Sequence, residues 1–226
     1  MMVLGIAVLA ALYWNRNVVV DSVSFEGNNV TSAEELLSQA QVPMGISPDS
    51  LNLDEISNRI EQLHYVKHVS PYVEPSGDLN FHITERKPIA LLIDGDKRAY
   101  VDAEGVRLPL EDGFTHDLPL LYGFIAEVGR DTLKSTAFKQ ISSFLMNAQK
   151  DHFGWATISE VAYHPEEGVV ALSHENGVKL VFGNNDFQIK LENWKAFYTD
   201  VIRVKGIESM QQVDLRFINQ VVTRES

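Results

Sequence analysis

The chain has 226 residues, 45% of them apolar, and a formal net charge of −12 from 19 basic and 31 acidic side chains. The length admits one large domain or two small ones, and the acidic balance argues against a phosphate-backbone partner, which needs a basic face, and against a folded domain lying on anionic lipid. With no cysteine present, thiol catalysis, zinc–thiolate sites and disulfide frameworks are excluded as well.

Met1–Trp14 carries no charged side chain and is rich in Val, Leu, Ile and Ala. As a helix it spans about 21 Å, short of the roughly 30 Å of a bilayer's hydrocarbon core. It lacks the basic start and small-x-small site of a signal peptide. Tyr13, Trp14 and Arg16 fit a membrane-water interface. The expectation is the second half of a transmembrane helix over 1–17, with its first half and a cytoplasmic tail missing; the other reading is a buried or interfacial helix.

Val18–Glu26 reads as a strand ended by Gly27-Asn28-Asn29. Ser32 and Glu35 form a capping box that opens a short helix with Leu36, Leu37 and Ala40 on one face. Asn52 caps a second helix, whose Leu53, Ile56, Ile60 and Leu63 keep helical spacing. Val66–Val73 is a strand in which Pro71 marks an edge or a bulge. After turn chemistry at Pro75–Asp78, Leu79, Phe81 and Ile83 alternate with polar residues in another strand. Residues 18–86 therefore read β-α-α-β-β.

The second half opens with the strand Ile89–Ile93, a turn at Gly95, and a returning strand over Arg98–Asp102. Leu118-Pro119-Leu120-Leu121, flanked by Gly113 and Gly123, reads as an ordered loop. Leu133, Ala137, Phe138, Ile141, Phe144, Leu145 and Ala148 make a helical stripe. Ile158–Tyr163 and Val169–Leu172 are strands, and Asn176-Gly177 is a type I′ hairpin signal leading into Val178, Leu180 and Phe182. Asp186 can cap a helix with apolar positions 187, 191, 194, 198 and 201. The order ββ-α-βββ-α-ββ predicts an α+β domain built on an antiparallel sheet.

The last segment is the most informative. Val213, Leu215 and Phe217 alternate with Asp214 and Arg216, Ile218-Asn219-Gln220 interrupts, and Val221–Arg224 follows. Period-two alternation marks a half-buried strand, and no later segment covers it, so its backbone groups are expected to be open to a partner strand.

Catalytic constellations are lacking in the sequence. His64 and His68 fall at a helix end and in the next strand, His82 alternates outward, and no Walker, dinucleotide or Gly-x-Ser-x-Gly pattern occurs. Asp102 and Glu104 beside Gly105 read as a hairpin turn rather than a carboxylate pair. Lys190, Lys195 and Arg203 on the 187–204 helix read as a solvated face, with a docking surface as the functional alternative. A non-enzymatic chain with no cofactor and no metal is expected.

Five stretches, in order, resemble the FtsQ/DivIB family of bacterial division proteins: Val20–Asn28, Ile83–Ala90, Tyr100–Leu108, Leu118–Gly123, and Val213–Phe217 with Asn219–Val222. The resemblance implies a partial transmembrane helix over 1–17, a POTRA domain over 18–86 and an FtsQ-type β domain over 87–226. It implies a single-pass protein of the inner membrane, its bulk on the periplasmic side, acting at the division septum. Its partners would be FtsB (or DivIC) and FtsL, with other division proteins meeting the POTRA domain. A partner strand would dock on Arg216, Phe217, Asn219, Gln220, Val221 and Val222. The alternative is a POTRA-bearing transport or outer-membrane assembly module.

Overall fold

The computed structural model describes residues 18–129, 132–217 and 220–225. The transmembrane helix expected over 1–17 lies outside them; among the described residues no helix is long and apolar enough to cross a membrane. The chain divides into two compact units at Arg86/Lys87.

In the first unit β1 (Val23–Glu26), α1 (Ala33–Ala40), α2 (Leu53–Ile60), β2 (Val66–Val73) and β3 (Leu79–Glu85) follow one another. The sheet order is β1-β3-β2, with β1 parallel and β2 antiparallel to β3. Both helices start where their caps dictate: Ser32 Oγ accepts from the Glu35 N–H at 3.1 Å, and Asn52 Oδ1 from the Glu55 N–H at 3.2 Å. Leu36, Ile56 and Ile60 bury their helix faces against Leu79, Phe81 and Ile83. Pro71 lies in the edge strand β2, where a missing N–H costs no ladder bond.

The first strand is shorter than expected. Only Val23–Glu26 joins the sheet. Val20 instead donates to Ile46 O and accepts from the Gly45 N–H, each at 2.9 Å, so this stretch is tied to the loop before α2. At the other end of the unit Glu85 fixes the entry to α1. Its carboxylate accepts from the N–H groups of Asn29 at 2.9 Å, Val30 at 3.0 Å and Thr31 at 2.8 Å.

The second unit contains β4 (Pro88–Asp94), β5 (Lys97–Asp102), β6 (Arg107–Leu108), β7 (Leu120–Tyr122), α3 (Thr136–Ala148), α4 (His152–Ala156), β8 (Ile158–His164), β9 (Gly168–Ser173), β10 (Lys179–Gly183), α5 (Phe187–Phe197), β11 (Met210–Asp214) and β12 (Val222–Glu225). Among the described residues these strands form one sheet of nine, in the order β12-β11-β10-β9-β8-β7-β4-β5-β6.

The sheet is mixed, not antiparallel as the sequence led us to expect. β4/β7, β7/β8 and β10/β11 are parallel pairs. Each parallel step needs a long crossover, and the helices provide two of them: α3 and α4 carry the chain from β7 to β8, and α5 from β10 to β11. The second correction is β7 itself. Leu120–Tyr122, expected to be loop, pairs with both β4 and β8 and joins the two halves of the sheet. Three residues beside Pro119 give no readable alternation, so only the neighbouring strands define it.

The helices cover one face. Phe138, Ile141, Phe144 and Leu145 of α3 and Phe187, Leu191 and Trp194 of α5 bury against Leu92, Leu121, Val161, Ala171, Leu180 and Phe182. The indole Nε1 of Trp194 donates to Thr157 Oγ1 at 3.0 Å, so the buried ring leaves no unpaired donor. Asn176 and Gly177 have φ of +60° and +58°, as a type I′ hairpin requires. Asp186 holds the N-cap position of α5 in a left-handed conformation and makes no side-chain cap bond, contrary to expectation. A π-type turn over Tyr198–Ile202 follows α5 and rotates the register, so that Ile202 is buried and Val201 only partly so.

Candidate functional site: the C-terminal edge

The C-terminal hairpin forms one rim of the nine-stranded sheet. β11 lies parallel to β10, with Leu180 opposite Val213 and Val181 opposite Asp214. The Leu215 N–H extends that ladder by one bond to Val181 O at 2.9 Å. The chain then turns back, and β12 runs antiparallel to β11 with Val222 opposite Asp214 and Thr223 opposite Val213. β12 is the outermost strand, and its outer side has no neighbour among the described residues.

This distributes the expected docking residues differently from a single strand. Arg216 and Phe217 lie in the turn beyond β11, not in the strand as the alternation implied. Gln220 is exposed in the same connection, and Val221 leads into β12 with its side chain partly buried against the core. Val222 opens β12 with 43% of its surface exposed. Asn219 lies outside the described residues. The edge strand is therefore Val222–Glu225, and the residues before it shape one end of it.

A polar cluster holds that end. Asp214, 5% exposed, accepts from the Arg216 N–H at 3.0 Å, from Arg216 Nε at 3.0 Å and from Nη2 at 2.6 Å. Burial pushes its carboxyl upward, but those bonds and the charges of Arg216 and Lys179 outweigh it and hold the carboxyl below the ordinary range. The Arg216 guanidinium carbon is also 5.9 Å from the centre of the Phe217 ring. Phe217 stays 44% exposed, so the aromatic face is held at the surface by a fork that is itself anchored.

Beneath the fork lies Lys190. Its ammonium donates to Asn185 O at 2.7 Å and to Asn185 Oδ1 at 3.0 Å. Burial lowers its pKa, as does Arg216, and Asp186 and Asp214 only partly counter that. With 7% of its surface exposed, Lys190 does not lie on a solvated helix face. Lys195 also has a partner, Asp151 Oδ1 at 3.1 Å. Gly183 makes the close approach possible: at φ +77° it has no side chain, and a Cβ there would sit 3.2 Å from Arg216 Cγ and 3.4 Å from Lys190 Nζ. At the far end of β12, Glu225 pairs with Lys205 at 2.8 Å, next to the exposed Val204.

Sequence reasoning missed Asp214 and Gly183 as parts of this site, and it read Lys190 as solvated, with a docking face as the alternative, rather than as buried beside the fork. The local Asp-x-Arg spacing was a usable signal. The contribution of Gly183 and Lys190 depends on parallel pairing of β10 with β11, which the sequence does not carry. The other titratable groups stay dispersed. His68 sits 2.9 Å from Glu61 Oε1, and Asp102 Oδ1 accepts from the N–H groups of Glu104 and Val106 in a turn. No cluster of His, Asp and Glu able to hold a metal occurs among the described residues.

The architecture is that of a POTRA domain joined to a division-protein β domain. Residues 18–86 match the POTRA domain, FtsQ-type, and residues 87–224 match the family described as FtsQ/DivIB, C-terminal related. The chain belongs to the FtsQ/DivIB family. It is 25% identical over 233 residues to the cell division protein FtsQ of Salinibacter ruber, covering 99% of this chain and 90% of that one. It is 27% identical over 236 residues to FtsQ of Rhodothermus marinus, covering 100% and 86%. Among solved structures, the major extracytoplasmic domain of DivIB from Geobacillus stearothermophilus aligns with 53% of this chain and 97% of its own, at 21% identity and a TM-score of 0.37.

Proposed function

We propose that this chain is a non-enzymatic, membrane-anchored scaffold of the bacterial division complex. It gathers FtsB (or DivIC) and FtsL on the outer side of the membrane and helps regulate septal peptidoglycan synthesis. The observation that carries this reading is the outer side of β12, unpaired among the described residues, beside a fixed aromatic residue, Phe217. A partner strand added there gains main-chain hydrogen bonds for affinity and alternate side-chain contacts for specificity. Arg216, Phe217, Asn219, Gln220, Val221 and Val222 are the residues assigned to the contact, with Val222 on the strand and Phe217 as the aromatic anchor. A strand with a short helix beside it buries about 1,200 Å², the low end of specific interfaces.

The test is binding of the extracytoplasmic segment of the FtsB or DivIC partner to the full chain carrying Val222→Asp or Phe217→Ala. Each variant is expected to lose at least roughly tenfold in affinity, as a central aromatic or strand contact does. Circular dichroism and thermal melting report whether the variants stay folded. Unchanged binding by both folded variants would rule out edge-strand docking.

A further inference from the structure

An open groove of about 510 Å³ runs along the outer face of α3, far from the terminal edge in sheet order. Lys134, Lys139 and Lys150 line it together with Leu133 and Met146; Glu104 is the one acid in the lining among the described residues. In a chain with 31 acidic and 19 basic side chains, three lysines around one groove are a local reversal of sign. Lys134 and Lys139 have no ion-pair partner among the described residues, and Lys150 reaches only Asn147 Oδ1 at 3.3 Å. Met146 is exposed on the same face and gives the groove an apolar contact beside the lysines. The polar floor is already satisfied, because Ser142 Oγ donates to Ala103 O at 2.8 Å. The three lysines beside Leu133 and Met146 suit an acidic segment with large apolar side chains.

The chain itself carries such a segment. Residues 110–117, between β6 and β7, are all exposed. They present Leu110 and Phe114 together with Glu111, Asp112 and Asp117. A turn bond from the Phe114 N–H to Glu111 O at 3.2 Å shapes its tip. The His116 ring packs edge-on against Tyr100 at 5.3 Å. Tyr100 alternates along β5 with Ala99 and Val101, which face the helix-covered core. The loop therefore lies over the opposite face of the sheet from α3, and a molecule cannot fill its own groove.

We infer that the α3 groove is a self-association site: it receives the acidic, apolar-tipped loop 110–117 of a second copy of this chain. Leu110 and Phe114 of one copy meet Leu133 and Met146 of the next, and the three loop carboxylates face the three lysines. The two surfaces differ, so the contact is heterologous and repeats head to tail, giving rings or short rows rather than a closed two-fold dimer. The site is separate from β12, so it leaves the proposed partner edge unoccupied. Surface charges set its specificity and rate, and salt weakens it.

The experiment is sedimentation of the full chain in nonionic detergent, over a concentration series at low and high salt. Wild type is expected to form dimers and larger species that dissociate as salt rises. The groove variant Lys139→Glu/Lys150→Glu and the loop variant Asp112→Lys/Asp117→Lys are each expected to weaken association at least roughly tenfold, because like charges then face each other. An equimolar mixture of the two is expected to associate again, since each loop then meets a groove of opposite sign. A monomeric wild type, association that persists in either variant alone, or a mixture that fails to recover overturns the inference. So does a monomeric chain whose groove binds an acidic amphipathic peptide, which would assign the groove to a different partner.

Discussion

Arg216 grips the carboxylate of Asp214 from two residues away, with Nε at 3.0 and 3.1 Å from its two oxygens and Nη2 at 2.6 Å. Arg216 begins the turn two residues after Asp214, and its N–H also bonds the Asp214 carboxylate at 3.0 Å, so the pair forms locally without any long-range folding event. What the tertiary structure adds is burial of the acid between β10 and β12. The pair thereby becomes the anchor for the turn that carries Phe217.

Arg216→Ala leaves the Asp214 carboxylate buried without its fork. Because Arg216 is partly exposed, a loss of about 1–3 kcal/mol is expected rather than the full cost of a buried broken pair. Urea unfolding measures it. A paired reading, the quenching of a probe placed at the turn, should show the Phe217 segment loosening more than the rest of the domain.

The same pair sets an acid response. The Asp214 carboxyl is held below its ordinary value in the folded state. A group shifted that way contributes stability that is fully present above the unfolded value, about pH 4, and is lost as pH falls through the lower folded value. Thermal melting followed from neutral pH downward should therefore show a loss in the wild type that Asp214→Asn lacks. Parallel acid limbs for the two proteins would refute the assignment.

Gly183 tests the close approach beneath the fork. Alanine there must adopt a positive φ and place its Cβ against Arg216. The backbone conformation alone costs about 1–2 kcal/mol, and the displaced arginine adds to it. Gly177→Ala is the reference, since a Cβ at that positive-φ hairpin glycine meets nothing within 4 Å. A Gly183→Ala loss no larger than the reference would show that crowding against Arg216 contributes nothing.

Glu85 makes a separate prediction for the first unit. Its carboxylate serves the N–H groups of Asn29, Val30 and Thr31 ahead of α1. Glu85→Ala should cost about 2 kcal/mol, in the range of hydrogen bonds to a charged group. Hydrogen exchange at those three amides should accelerate, while the amides of β8–β10 keep their protection.

The sequence by itself determined much of this protein. Ser32, Asn52 and Asn176-Gly177 are local chemistry, and each produced the cap or turn it specifies. The stripes Ile56/Ile60 and Phe138/Ile141/Leu145 face the cores because helical period and burial agree. The ordered likeness to FtsQ/DivIB was also legible, as was the terminal stretch as a strand pair. Only the tertiary structure decided the rest. Leu120–Tyr122 is a strand because β4 and β8 flank it, not because of its own residues. Lys190 is buried because α5 packs its polar side over Gly183 and Asp214. The residues proposed for docking divide between a turn and an edge because β11 is already paired on both sides. Local preference acts over a few residues and can be read along the chain; strand order, parallel pairing and the burial of a charge depend on segments distant in sequence.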